Sequence, residues 1–366
     1  MPQGRRWHTG DLAFRVPGPE REDLRSRLER TRLPAQEPGR PWERGIPVDV
    51  LGGLVDRWLA LDWDAVEARL GRERQLLLTG DGAQLHALWR PPRREGALPV
   101  LALHGWPYTY AQMVPLADEL AGDQGVVAPS LPGYVHSPAL REPFSARRVA
   151  ELFHHMMTDG LGHERYLVYG EDIGAPVADW IAGMYPDHVA GIVASHPSFS
   201  AQQRAGVELD EGEQAFLAGT YRPEETGYAH QQGTRPDTLA VGLLDSPAGL
   251  LAWIAEKVAA WSDGGTATGL DGIPVDELLT LTSLYWFTRS IGTSFRSYAE
   301  PADFDLHPVV TVPAALLVNT HERGYPRSLG DKSYTDIRSF ERLGRGGHFT
   351  AWENPGAVAD AIRSLA

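Results

Sequence analysis

Val168-Tyr169-Gly170-Glu171-Asp172-Ile173-Gly174-Ala175-Pro176 is the stretch whose reading decides the fold. Ahead of it, Tyr166 to Tyr169 reads as a short buried strand. Behind it, Val177, Trp180, Ile181 and Met184 recur at helical spacing. Two glycines flanking one polar residue between strand and helix form the Gly-x-nucleophile-x-Gly elbow, a sharp turn that lifts one side chain above an α/β sheet. The glycines are needed because the turn is cramped and neighbouring backbone passes too close for a Cβ. The lifted residue is Asp172, where an esterase would carry serine. An aspartate, with an ordinary pKa of about 3.9, is already an anion at neutral pH. It suits attack on a saturated carbon bearing a strained or good leaving group, which gives an alkyl-enzyme ester. Water must then hydrolyse that ester, and this requires a base. An ordinary acidic turn is the competing reading, so the rest of the chain has to decide.

The chain has 366 residues, enough for one large domain with insertions or for two domains. With 42% hydrophobic and 22% charged residues it has ample core material for a soluble globular protein. A net charge of -14 argues against nucleic acid or an anionic membrane surface as a main partner. No apolar run approaches the roughly 18 to 20 residues that span a bilayer, and no signal pattern opens the chain. The absence of cysteine excludes disulfides, thiolate catalysis and Cys-ligated zinc. The expected location is the cytoplasm, and neither a metal nor a cofactor is implied.

Residues 1 to 92 read as an N-terminal extension. It contains a helix over Glu20 to Thr31, a proline-rich connection from Pro38 to Pro47, and a second helix carrying Val50, Leu51, Leu54, Val55, Trp58 and Leu59. Gln75–Leu78 and Leu85–Trp89, joined through Gly80-Asp81-Gly82, predict a β-hairpin. Trp42, Trp58 and Trp63 are expected to be packing residues. From residue 93 to 200 strands and helices alternate: strands at Pro99–Leu103, Val126–Pro129, Tyr166–Tyr169 and Val189–Ser195, with helices at Tyr110–Leu120 and Ala146–Gly160 between them. That rhythm predicts a mostly parallel, twisted sheet covered on both faces, with its site beyond the carboxyl ends of the strands. Over 201–300 the rhythm breaks. Tyr221 to Arg235 is rich in polar and turn residues, and Pro247–Trp261 and Val275–Ile291 read as helices, together the shape of a helical lid. The sheet resumes within 301–366, at Val309–Asn319 and Asp336–Glu341, and Pro355–Leu365 closes the chain as a helix.

A hydrolase of this fold orders its triad as nucleophile, acid, base, and the chain downstream of Asp172 can meet that order. Arg345-Gly346-Gly347-His348-Phe349 follows the last strand, where a loop can swing the imidazole of His348 over the elbow. Thirteen histidines make composition uninformative, so chain position selects this one. Glu322 follows the preceding strand at a place where an acid could hold the His348 ring. Asp303, Asp305 and Asp331 compete for that role, and spacing alone leaves the choice open. His104-Gly105-Trp106-Pro107 supplies the other side: the backbone N–H groups of Trp106 and Ile173 can form an oxyanion hole. Trp106-Pro107 also invites a cis peptide bond.

The chain resembles an epoxide hydrolase of the α/β-hydrolase fold, of the microsomal type. Trp42-Glu43-Arg44-Gly45-Ile46-Pro47, His-Gly-Trp-Pro and Gly-Glu-Asp-Ile-Gly carry the resemblance, with Glu225-Thr226-Gly227-Tyr228-Ala229-His230, Asp245-Ser246-Pro247-Ala248-Gly249-Leu250, Glu256-Lys257 and Arg-Gly-Gly-His-Phe. These stretches cover nearly the whole chain in the family's order. The resemblance implies that an epoxide is opened to a vicinal diol in two steps, with Asp172 as nucleophile and with water activated by His348 and Glu322. It also implies two lid tyrosines that donate to the epoxide oxygen, matched by Tyr228 and by Tyr298 of Ser297-Tyr298-Ala299-Glu300. Nothing else in the sequence singles these two out from twelve tyrosines.

Two departures stand out. Membrane-bound members carry an apolar N-terminal anchor, whereas this chain begins with polar, arginine-bearing sequence and is expected to be soluble, without an anchor. After Pro132-Gly133-Tyr134 the family continues with Gly-Phe-Ser, whereas here Val135-His136-Ser137 follows, which bears on substrate shape. A haloalkane dehalogenase also uses an aspartate nucleophile but needs halide donors in place of phenols; a non-catalytic binding protein of this fold would lack a triad member. The expected partner is a small apolar or aryl epoxide, and the sequence leaves a homodimer open.

Overall fold

The computed structural model describes residues 7–36, 38–204, 206–220, 223–300 and 307–366. Nine strands form one sheet: β1 His8–Asp11, β2 Arg74–Gly80, β3 Ala83–Arg90, β4 Val100–Leu103, β5 Val126–Pro129, β6 Tyr166–Gly170, β7 Val189–Ala194, β8 Ala314–Val318 and β9 Ile337–Arg342. Their order is β1-β2-β3-β5-β4-β6-β7-β8-β9. The pairs β1–β2, β2–β3 and β3–β5 are antiparallel and the others parallel. This is the expected α/β-hydrolase architecture.

The central strands are short apolar runs buried at every position, because helices cover both faces of a parallel sheet. The last strand, Ile-Arg-Ser-Phe-Glu-Arg, is mostly polar, is buried at none of its positions and sits at an edge. β1 was not legible in advance, since His-Thr-Gly-Asp has no apolar alternation and is fully exposed; backbone pairing with β2 holds it. The extension thus contributes three strands to the same sheet. Its predicted hairpin turns at Asp81-Gly82, where φ is 50° and 78°, the twist-matched turn that Asp-Gly favours.

Helix Val48–Leu59 carries Leu51, Leu54, Val55 and Trp58 on its buried face and fastens the extension to the helical segment between β7 and β8. Trp58 Nε1 donates to Ser283 Oγ over 2.8 Å, and Arg57 pairs with Asp276 at 2.7 and 2.6 Å. The half-exposed ion pair contributes roughly 1 kcal/mol or less, so burial of Trp58, worth roughly 2–3 kcal/mol, is the stronger fastening. Trp63 packs edge-on against Phe287. Trp42, by contrast, lies at a cavity wall.

The helical segment differs from expectation in two respects. The polar run before Arg235 forms helix Pro223–Thr234, despite a composition that reads as turn; Pro223 is preorganised for a first helical turn. Tyr221 lies outside the described residues. Helix Pro247–Trp261 is as expected, capped by the Ser246 hydroxyl on Gly249 N–H. Helix Val275–Thr288 stops short of Ile291 because Arg289 turns left-handed, with φ 54°. The strand expected over Val309–Asn319 shrinks to Ala314–Val318. Pro313 cannot donate to a ladder, and Val310 keeps only an isolated bridge to Tyr334. Among the described residues no single helix is long and apolar enough to cross a membrane.

Candidate active site

Sheet register assembles the site. Leu103 of β4 pairs with Gly170 of β6, and Gly170 pairs with Ala194 of β7. The residues just past these pairs, Trp106, Asp172 and His196, therefore emerge side by side at the carboxyl ends of adjacent strands. β4 has β5 on one side and β6 on the other, so this is the point where strand order reverses and sites of open sheets form.

Asp172 has φ 48°, the left-handed conformation of a strained elbow. A Cβ on Gly174 would come within 2.6 Å of the carbonyl oxygens of Leu103 and His104, and one on Gly170 within 2.6 Å of Gly174 O. Gly105 is under the tightest demand: its Cβ would lie 2.2 Å from Asp172 Oδ1. That space lets the Trp106 N–H donate to Oδ1 over 2.8 Å. The Trp106-Pro107 bond is cis. Ile173, the other expected oxyanion residue, is half-buried and lines the same cavity.

The other carboxylate oxygen, Oδ2, lies 3.3 Å from His348 Nε2, which is off the hydrogen-bond direction. The His348 loop is tied down by its own N–H, which donates to Trp261 O over 2.8 Å. Burial alone would lower the His348 pKa. The adjacent, charged Asp172 carboxylate, with Glu322 and Glu171, outweighs burial and holds it above the ordinary histidine value. Glu322 is buried, its N–H donating to Asn319 Oδ1. Burial pushes its carboxyl up to about 8, against the pull of His348. Glu322 and His348 each present an atom within 4.8 Å of the other. Of its three competitors, Asp331 is half-exposed and paired with Arg327, while Asp303 and Asp305 lie outside the described residues.

Tyr228 and Tyr298 reach the same place from helices Pro223–Thr234 and Arg296–Ala299. Tyr228 stacks on Trp106 with centroids 5.4 Å apart, and Tyr298 meets Trp106 edge-on at 6.0 Å. The two phenol rings are 5.9 Å apart. Tyr298 Oη is buried without an aligned partner among the described residues. Its pKa is raised well above 10, first by burial, then by Tyr228 and Asp172, so the phenol stays protonated.

Two groups escaped the sequence reading. His196 accepts the Asp172 N–H at Nδ1 over 3.1 Å and places Nε2 3.1 Å from His348 Nδ1. Its only advance signal is its position just past a central strand. Glu171, inside the elbow, is buried, accepts from Tyr169 and from Ala351 N–H, and is pushed up to about 7 by burial. A cavity of about 1520 Å³ opens over these groups, with Phe144, Trp180, Phe199, Phe216, Tyr228 and Trp261 among its walls. No lysine or arginine lines it among the described residues.

Residues 11–113 match the family model described as epoxide hydrolase N terminus, and residues 99–225 match that of the alpha/beta hydrolase fold. A Stigmatella aurantiaca relative carrying an epoxide hydrolase name is 32% identical, over 95% of this chain and 82% of its own length. The juvenile hormone epoxide hydrolase of Bombyx mori is 34% identical, over 75% of this chain and 67% of that protein. The crystal structure of juvenile hormone epoxide hydrolase from the silkworm Bombyx mori superimposes with a TM-score of 0.86 at 28% identity, covering 99% of this chain and 94% of that one.

Proposed function

The chain belongs to the epoxide hydrolases of the α/β-hydrolase fold, and from that premise we propose that Asp172 Oδ2 opens the epoxide and His348 activates the water that releases the diol. The observation that carries this reading is the division of the Asp172 carboxylate: Oδ1 is held by the Trp106 N–H, while Oδ2 faces the cavity and His348.

In the first step Oδ2 attacks one epoxide carbon, the C–O bond breaks, and the departing oxygen takes a proton from Tyr228 or Tyr298. An alkoxide is a poor leaving group, so a phenol that stays protonated in the resting site is a suitable donor. The product is an ester on Asp172. In the second step His348 takes a proton from water, and the resulting hydroxide attacks Cγ of the ester. Negative charge then develops on Oδ1, where the Trp106 N–H already sits, with the Ile173 N–H as its partner. Collapse expels the diol oxygen, which takes the imidazolium proton, and the new carboxyl group gives up its proton to the tyrosinate left by the first step, restoring carboxylate, imidazole and phenol. Glu322 stabilises the imidazolium formed on the way.

Ester formation also prepares the base. The Asp172 carboxylate raises the His348 pKa; once esterified it carries no charge, so that pKa falls and the neutral imidazole is favoured when a base is needed. The substrate is a small apolar or aryl epoxide, in keeping with the aromatic walls and with the lack of a lining lysine or arginine among the described residues. Residues 201–300 act as a lid over it.

Intact mass of His348→Gln after mixing with styrene oxide tests the scheme. A stoichiometric adduct mapped to Asp172, absent in Asp172→Ala, is expected. An inactive His348→Gln that binds the epoxide without forming an adduct would rule out a role confined to hydrolysis.

A further inference from the structure

His196 has no task in that scheme, yet it touches nucleophile, base and acid. Its Nδ1 lies 3.1 Å from the backbone nitrogen of Asp172. An amide N–H can only donate, so Nδ1 carries no proton. Burial drives the pKa of His196 well below the ordinary value and keeps the ring neutral. A neutral imidazole with a bare Nδ1 carries its proton on Nε2. That nitrogen lies 3.1 Å from His348 Nδ1, 3.4 Å from the Asn319 amide nitrogen, which donates to Ser195 O, and 3.7 Å from Glu322 Oε1. Two acceptors therefore compete for one N–H.

His196, Glu322 and His348 also converge as a metal-ligand set would, with one atom of each within 4.8 Å of the others. The amide bond speaks against that reading. A metal on Nε2, with Nδ1 still accepting from Asp172, would require His196 to be an imidazolate, a form of very low abundance at neutral pH. A donor role remains.

We propose that His196 is a positioning residue whose Nε2–H selects the nitrogen on which His348 holds its proton. The inference rests on the reading of His348 as the base. With the His196 N–H on His348 Nδ1, the proton of neutral His348 sits on Nε2, beside Asp172 Oδ2, where it guards the nucleophile and cannot accept from water. Hydrolysis needs Nε2 bare and Nδ1–H facing Glu322, so the His196 N–H turns to Glu322, whose Oε1 lies 3.7 Å away and whose Oε2 has no partner among the described residues. His348 changes tautomer through its imidazolium, with one proton taken up at Nδ1 and one released from Nε2 to water. The titratable groups facing the pair are Asp172 and Glu171 from the elbow and His321 and Glu322 from the loop after β8.

Histidine-15N spectra of the wild type, assigned by loss of a signal in His196→Gln, should show His196 with Nδ1 bare and Nε2 protonated. The reverse tautomer, or a charged ring at neutral pH, overturns the proposal whether or not the enzyme turns over. In single turnovers of styrene oxide, His196→Phe should hydrolyse the Asp172 ester roughly 5- to 10-fold faster on the pH plateau, because neutral His348 is no longer held as the Nε2–H tautomer that cannot accept from water. Its acid limb should move to higher pH, because His348 Nδ1 loses the N–H that favoured its unprotonated form. His196→Gln, which keeps an N–H within reach, should return the rate to within about threefold of the wild type. Decay at or below the wild-type rate in His196→Phe, or His196→Gln as fast as His196→Phe, makes His196 a space-filling residue and overturns the proposal. A wild type that forms no ester would instead overturn the reaction scheme and leave the tautomer measurement as the test of His196.

Discussion

The backbone N–H of Trp106 donates to Oδ1 of Asp172 across 2.8 Å, joining the turn after β4 to the elbow after β6. The bond follows from the register of two parallel strands, Leu103 opposite Gly170. In the proposed reaction it leaves Oδ2 as the oxygen free to attack and sets the same N–H where charge would collect as the ester is hydrolysed, so that one donor would orient the carboxylate before reaction and stabilise it during reaction.

Gly105→Ala tests that link. The new Cβ would stand 2.2 Å from Asp172 Oδ1 and 2.4 Å from Asp172 Cβ, and the strained elbow has no slack to retreat. Turnover should fall by at least about 100-fold, while overpacking costs roughly 1–3 kcal/mol of stability. Steady-state kinetics with a thermal melt would measure both. A folded variant with near-wild-type turnover would mean that the carboxylate is not held as described.

Tyr228→Phe and Tyr298→Phe each remove one donor and preserve the stack on Trp106. Ring opening should slow by roughly 10- to 1000-fold in either variant, with hydrolysis of a preformed ester little altered. The double variant should lose far more than either alone, since one phenol partly covers for the other. Alkylation at the wild-type rate in both single variants would make the rings packing residues and reopen the dehalogenase reading.

The charge on Asp172 makes a prediction about pH. Asp172 holds the resting His348 pKa above the ordinary value by favouring the imidazolium. Esterification removes that anion, so the His348 pKa must fall. The acid limb of single-turnover ester decay should therefore lie at lower pH than the resting titration of His348 followed by 15N NMR. Coincident values, or a limb at higher pH, would contradict Asp172 as the esterified group.

Asp179 offers a stability test away from the reaction. It is buried, accepts from Tyr334 Oη over 2.8 Å, and burial raises its pKa to about 7. Its folded pKa exceeds its unfolded value, so its contribution is fully present below the unfolded pKa of 3.8 and is lost as pH rises through about 7. Asp179→Asn keeps the acceptor and cannot ionise. Relative to wild type it should gain stability from about pH 4 to 7 and level off above, by a few kcal/mol at most. Chemical denaturation at pH 5 and pH 8 would reveal a constant difference if the carboxyl is not desolvated.

The sequence by itself determined what is written in adjacent residues. The elbow was legible because a strand, two glycines four positions apart and a helix are local, and their steric demand is local too. The alternating core was legible because strands buried on both faces are continuous apolar runs. The chain order of Asp172, Glu322 and His348 pointed to a site without giving any distance within it. Tyr228 and Tyr298 came from resemblance alone, for a phenol looks the same in a core and over a nucleophile.

Only the tertiary structure decided the rest. Strand β1 and helix Pro223–Thr234 carry no apolar period, so their pairing and packing had to form before they could be seen. His196 is 24 positions from Asp172 and 152 from His348 in sequence, yet touches both because β7 lies beside β6 in the sheet. The raised pKa values of Glu171 and Glu322 are consequences of burial, which is a property of what surrounds a residue and not of the residue. Residue type and spacing specify which groups can react; sheet order, register and desolvation determine which of them meet and which hold protons when they do.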